Sequence, residues 1–304
     1  MTMTVNWNGV IPAITTRFNP DGSVDHAFFA EHCRWMLDAG CIGIVPLGSL
    51  GEGATLTFEE KTALLRTAVA AAGDRAPIIP GIAALSTAEA VRLAQTAAEL
   101  GCRGLMVLPP YIYSTDWREM KAHMSAVIAA TDLPVMLYNN PLAYKTDFLP
   151  EQIVELCHAH ANLVAVKESS ADVRRVTAIK ALLGDRLQIL VGVDDAIVEG
   201  IMAGATGWIA GLVNAFPAES VEVFNLALAV RDGHGDRVRL EALYAWFLPL
   251  LRLDVVPKFV QLIKLTQELV GMGSASVRAP RLELAGAERD DALAIIQHAL
   301  ENRP

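Results

Sequence analysis

Short apolar runs recur along the chain at 10–15, 43–47, 78–82, 104–108, 134–138, 163–167, 187–191 and 207–212. They are apolar at consecutive rather than alternate positions, as in strands buried on both faces of a parallel sheet. Their starts lie roughly 20 to 35 residues apart, room for a helix and two short loops. The intervening segments carry the helical period: Ala27, Phe28 and Phe29 lead to Cys33, Met36 and Leu37, and Leu64 and Leu65 to Ala68 and Val69. Thr57-x-x-Glu60 and Ser86-x-x-Glu89 have capping-box form, and Pro217-x-Glu219 opens another helix. Three helix ends share one punctuation, at Ala39-Gly40-Cys41-Ile42-Gly43, Leu100-Gly101-Cys102-Arg103-Gly104 and Ala203-Gly204-Ala205-Thr206-Gly207. Glycine there suits a left-handed C′ position.

Eight such units predict an α/β architecture, a (β/α)8 TIM barrel. A doubly wound open sheet is the alternative, but no G-x-G-x-x-G follows the first run and the eightfold count favours closure. Beyond residue 231 the strand-like runs stop. Segments 237–251, 256–270 and 290–300 read as helices punctuated by Pro257, Gly271 and Pro280. The expected division is therefore a barrel over residues 1–231 and a C-terminal helical region, 232–304, packed on it. The apolar faces of that region (Leu240, Leu243, Phe247 and Leu250, then Leu262, Ile263 and Leu269) suit either core or an oligomer interface.

At 304 residues and 53% hydrophobic the chain can bury a large core. A net charge of −9, with no basic cluster, argues against nucleic acid or anionic membrane as a partner. The first residues lack the charged and apolar regions of a secretion signal, and no apolar run reaches transmembrane length unbroken. Cys33, Cys41, Cys102 and Cys157 are scattered, which fits reduced thiols in a cytoplasmic protein better than disulfides or zinc. His158 and His160 stand where a helix should end, and residues two apart on a helix do not face each other. Neither a metal nor a cofactor is expected.

The chemistry gathers where the strands end, since barrels of this kind work at the C-terminal face of the strands. Lys167 closes the sixth run, Leu163-Val164-Ala165-Val166-Lys167. Taken alone it could be a side chain snorkelling outward from a strand end. Partly desolvated, it would instead hold a lowered pKa and offer a neutral amine to a carbonyl or imine carbon. Gly48-Ser49-Leu50-Gly51-Glu52 ends the second run, Tyr111 follows the fourth, Tyr138-Asn139-Asn140-Pro141 ends the fifth, Gly192-Val193-Asp194-Asp195 the seventh and Gly211 the eighth. A tyrosine can shuttle protons. The Gly48–Gly51 turn either offers N–H groups to a carboxylate or is a plain strand-to-helix turn. Asp194 and Asp195 would repel phosphate, or else simply favour a helix N-terminus; Asp194 and Gly211 are expected among the substrate-binding residues. A small unphosphorylated carboxylate is the expected substrate.

These residues in this order resemble the dihydrodipicolinate synthase / N-acetylneuraminate lyase superfamily of Schiff-base-forming barrels, over nearly the whole chain. Gly48-Ser49-Leu50-Gly51-Glu52 is similar to the family's G-[ST]-T-G-E, Tyr138-Asn139-Asn140-Pro141 to Y-N-x-P, and Val166-Lys167-Glu168 to [IV]-K-[ED]. The resemblance implies Lys167 as the Schiff-base lysine, Tyr138 as the proton-relay phenol, Ser49 and the Leu50 amide as carboxylate binders, and Gly192 and Ile209 as pocket lining. It also implies a homotetramer. Leu50 replaces the usual threonine, Ala143 stands where the synthases carry a carboxylate-binding arginine, and Ile112 matches their second phenol, for which Tyr111 or Tyr113 could substitute. Within the superfamily Tyr138–Tyr144, 167–175, 192–195 and Arg278-Ala279-Pro280-Arg281 look like 1-pyrroline-4-hydroxy-2-carboxylate deaminases of hydroxyproline catabolism. A keto-deoxy sugar acid dehydratase or pyruvate-dependent aldolase is the sister expectation. A catalytically silent metabolite-binding barrel is the remote one.

Overall fold

The computed structural model describes residues 5–110 and 116–304. Seven parallel strands form one sheet: β1 (Val10–Pro12), β2 (Gly81–Ile82), β3 (Leu105–Val107), β4 (Val135–Asn139), β5 (Leu163–Glu168), β6 (Gln188–Val191) and β7 (Gly207–Ala210). Their order is β1-β7-β6-β5-β4-β3-β2. The second expected strand closes this curl as a pair of bridges rather than a ladder, with Val45 beside Ala13 and Ile44 beside Ile78. Proline explains the shortness. Val45 N–H donates to Pro12 O at 2.9 Å, Ile44 N–H to Pro77 O at 3.0 Å and Gly81 N–H to Pro46 O at 2.8 Å. Those prolines accept hydrogen bonds but have no N–H to return, so the ladder cannot lengthen. The result is the (β/α)8 barrel.

The helices between the strands start as the sequence predicts. Thr57 caps Phe58–Ala72 through a reciprocal capping box with Glu60, Ser86 Oγ accepts from Glu89 N–H, and Pro217 is the first residue of Pro217–Arg231. Gly40, Gly101 and Gly204 all have positive φ, at 103°, 90° and 111°, the conformation that lets a helix end and turn directly into the next strand.

Helices Arg237–Leu251, Phe259–Leu269 and Gly286–Glu301 follow the barrel. Leu240, Leu243, Phe247 and Leu250 are fully or nearly buried in the same apolar cluster as the barrel residues, and the Phe247 ring meets Phe216 edge-on at 6.0 Å. That face is core in the single chain. Among the described residues no helix is long and apolar enough to cross a membrane.

Candidate active site

Tyr138 and Lys167 are register partners on β4 and β5. Paired residues of neighbouring parallel strands point to the same side of the sheet, and here both enter the barrel mouth. Lys167 Nζ lies 4.1 Å from the centre of the Tyr138 ring. A cavity of about 530 Å³ opens above them, and Lys167, Tyr138, Ser49, Leu50, Gly192, Ile209 and Gly211 are all on its lining.

Glycine at 192 is a packing requirement: a Cβ there would sit 2.6 Å from Lys167 Cε and 2.0 Å from Ser169 Oγ. Burial is the dominant influence on the lysine and lowers its pKa, which an ionised Asp254 would oppose. A desolvated amine held this way can act as a nucleophile when neutral. Burial likewise pushes the Tyr138 phenol up to about 12, against the Asn140 hydrogen bond that draws it down. The phenol therefore stays protonated and can donate. Asn140 Nδ2 donates to Tyr138 Oη at 3.0 Å, while Asn140 Oδ1 caps the short helix Pro141–Tyr144 by accepting from Ala143 N–H.

That helix carries Tyr144 into the site, where its hydroxyl is hydrogen-bonded to Ser49 Oγ and its ring meets Tyr138 edge-on at 5.8 Å. Among the described residues no backbone acceptor engages the Ser49 or Leu50 N–H. The turn thus keeps two donors, beside one hydroxyl, for an anion. Glu52 holds it from below: its Oε1 takes Lys264 Nζ at 2.8 Å and its Oε2 takes Arg278 N–H at 3.0 Å, with both ion-pair side chains essentially inaccessible. Glu168 plays the matching part at the end of β5, accepting from Asn139 Nδ2 and Ser170 N–H.

Asp194, expected to bind substrate, is fully buried and absent from the lining. Its carboxylate takes the Trp208 indole N–H at 2.9 Å, Leu212 N–H at 2.7 Å and Gly211 N–H, so it holds the segment after β7. Burial still raises its pKa to about 6 despite those donors. Tyr111, like Tyr113, lies outside the described residues.

Residues the sequence reading assigned no role also line the cavity: Tyr144, Ser169, Asn140, Asp254 and Arg281. The Asn140-Pro141 pair, a cap followed by an N1 proline, was a legible signal for the helix that places Tyr144. Asp254 and Arg281 come from the C-terminal region; no local pattern announces Asp254, and Arg281 stood only within the Arg278–Arg281 stretch of the resemblance.

A buried lysine paired with a phenol at the C-terminal mouth of a (β/α)8 barrel defines a Schiff-base enzyme. The chain belongs to the dihydrodipicolinate synthetase family, whose model matches residues 6–299. It is 31% identical over 292 residues to a 4-hydroxy-tetrahydrodipicolinate synthase of Geobacter metallireducens, covering 96% of this chain and 98% of that protein. A synthase of Xanthomonas axonopodis pv. citri is 37% identical over 230 residues, 75% of this chain and 74% of that protein. Among solved structures, the Acinetobacter baumannii dihydrodipicolinate synthase complexed with pyruvate superposes with a TM-score of 0.90 at 28% identity, covering 97% of this chain and 99% of that one.

Proposed function

We propose that this enzyme opens and deaminates a small cyclic imine carboxylate, 1-pyrroline-4-hydroxy-2-carboxylate, giving 2,5-dioxopentanoate and ammonia. The observation that carries this reading is a cavity with a carboxylate cradle on one turn and, among the described residues, only Arg281 as a cation besides Lys167, itself 3.8 Å from the Glu52 carboxylate. Ser49 and the Leu50 amide supply the cradle. Ala143, on the lining at the position where the resemblance expects an arginine, contributes no charge. Leu142, Val255 and Val256 make the rim beside it apolar.

In the proposed reaction the neutral Lys167 amine adds to C2, the imine carbon bearing the carboxylate. The C2–N bond of the ring breaks as that nitrogen takes a proton from the Tyr138 phenol, leaving an open-chain amine and a Lys167 iminium. The iminium acidifies C3, so a C3 proton passes to the Tyr138 phenolate and the 4-hydroxyl departs as water. Migration of the resulting double bond to C4=C5 gives an enamine, which takes a proton at C4 and loses one from nitrogen; water hydrolyses the imine so formed to the aldehyde and ammonia. A second water frees Lys167. Overall one water is consumed and one ammonia released.

The sister reading, a keto-deoxy sugar acid dehydratase or an aldolase, draws on Asn140 and Arg281, polar groups on the lining that a longer hydroxylated tail could use. Purified enzyme supplied with each substrate in turn separates them. Ammonia release from the pyrroline with no turnover of keto-deoxy acids is the expected result. Absence of ammonia, with turnover of a keto-deoxy acid, would replace the first reading by the second.

A further inference from the structure

Asp254 stands outside the repeating βα units, at the end of the single turn Arg252–Asp254 that joins helix Arg237–Leu251 to helix Phe259–Leu269. It nevertheless reaches the cavity that holds Lys167, and among the described residues it supplies the one carboxyl on the lining. Gly211, just after β7, makes room for it: a Cβ there would lie 2.0 Å from Asp254 Oδ1 and 2.4 Å from its Cγ. Oδ1 is closed off from solvent and has no hydrogen-bond partner among the described residues. The neighbouring acids are occupied. Asp194 is held by Trp208, Gly211 and Leu212, Glu168 by Asn139 and Ser170, and Asp195 lies 3.8 Å from the Arg252 guanidinium. A shielded, unpartnered carboxyl is costly to maintain in a structure, and here it faces the space a substrate would fill.

We propose that Asp254 is the general acid that protonates the hydroxyl leaving from C4, and the base that then accepts the proton from C5. This rests on the deaminase reading above and adds to it the group that drives the elimination. Hydroxide is a poor leaving group, so the C4–O bond needs a proton as it breaks. Loss of the C3 proton places an electron pair in an enamine. That pair forms C3=C4 as the C4–O pair leaves with the Asp254 proton as water, restoring the Lys167 iminium. The resulting carboxylate, beside that cation, takes a C5 proton. The C5–H pair forms C4=C5, C3 regains its proton, and Asp254 ends protonated as it began. Its environment suits the cycle: burial and the nearby Asp194 charge hold its pKa well above the usual carboxyl range, with Lys167 opposing them.

Asp254→Asn tests this with two controls. Borohydride reduction in the presence of pyruvate, read by intact mass, and exchange of pyruvate methyl protons in D2O both report Lys167 chemistry that precedes the elimination. A 4-chloro analogue of the pyrroline carries a leaving group that needs no proton. The expected result is trapping and exchange near wild type, chloride release near wild type, and ammonia release from the 4-hydroxy substrate slowed on the order of 10²- to 10⁴-fold. Undiminished ammonia release from the variant overturns the role. So does an equal loss of trapping, chloride release and ammonia release, which would make Asp254 a positioning partner of the lysine. If wild-type enzyme releases no ammonia while trapping pyruvate, the substrate assignment falls and this role with it; wild-type turnover matched by the variant removes the role alone.

Discussion

Lys167 Nζ sits 4.1 Å from the centre of the Tyr138 ring, because the two residues share one rung of the β4–β5 ladder. Backbone pairing, not side-chain flexibility, sets their distance. Lys167→Ala should abolish the adduct trapped by borohydride with pyruvate and lower turnover by at least about 10³-fold. Tyr138→Phe keeps the ring and removes the proton donor, so turnover should fall roughly 10²- to 10⁴-fold. A Tyr138→Phe enzyme of wild-type rate would assign the proton relay elsewhere.

The lowered pKa of Lys167 fixes the sign of a pH dependence. The amine attacks only when neutral, so adduct formation with pyruvate should weaken as pH falls through that lowered value. The fall should come below about pH 10.4, where an ordinary lysine titrates. Trapping rates measured from acid to alkaline pH check this, and a profile centred on the ordinary lysine value would contradict the burial argument.

Gly192→Ala should disable the enzyme without unfolding it. The new Cβ would fall 2.6 Å from Lys167 Cε and 2.0 Å from Ser169 Oγ, and the nucleophile must move aside. A displacement near 1 Å costs about 10²-fold in rate. Retained thermal unfolding with slowed pyruvate trapping is the expected pairing; unimpaired trapping would show that the lysine has another route.

Lys264→Met should destabilise the fold by about 3 kcal/mol, because it takes from the buried Glu52 carboxylate its closest counter-charge and leaves only Arg281, at 3.8 Å. Glu52 is 0% and Lys264 2% exposed at the side chain, with 2.8 Å between them. Urea unfolding measures the loss. A change below about 1 kcal/mol, the range of surface pairs, would mean that water reaches the pair.

His32 gives stability its own pH dependence. It is fully buried, and desolvation lowers its pKa to about 4, with the Asn214 carbonyl contact opposing weakly. Unfolded chains bind the proton near pH 6.5 and the native state does not, so stability contributed by this site is complete above that pH. It is lost as pH falls toward 4, a total of about 3 kcal/mol. Unfolding at pH 7 and pH 4.5, compared between wild type and His32→Gln, isolates the effect. Equal pH sensitivity in both proteins would remove His32 as its source.

The barrel was legible because its cause is local and repeated. Each run of consecutive apolar residues answers to a strand buried on both faces, and each capping residue to a helix start that satisfies its own orphan N–H groups. The second strand is where local reading overshot, since Pro46 and Pro77 leave few donors for a ladder. Ser49, Tyr138, Lys167, Gly192 and Gly211 were legible for a related reason: they end strands, and strand ends converge in a closed barrel. Asp194 shows the limit. Its position after β6 was readable, but not that Trp208, Gly211 and Leu212 would consume its carboxylate.

The sequence by itself therefore determined the kind of protein this is: a parallel barrel with a lysine at its mouth. Periodicity and strand-end position are properties of neighbours in the chain. What the tertiary structure alone decided is the company Lys167 keeps. Asp254 and Arg281 arrive from a C-terminal region folded back over the opening, and Tyr144 from a one-turn helix after β4. Whether a carboxyl faces a cavity or a row of backbone amides depends on packing between distant segments, where burial sets its charge and a single absent Cβ, at Gly211, sets its reach.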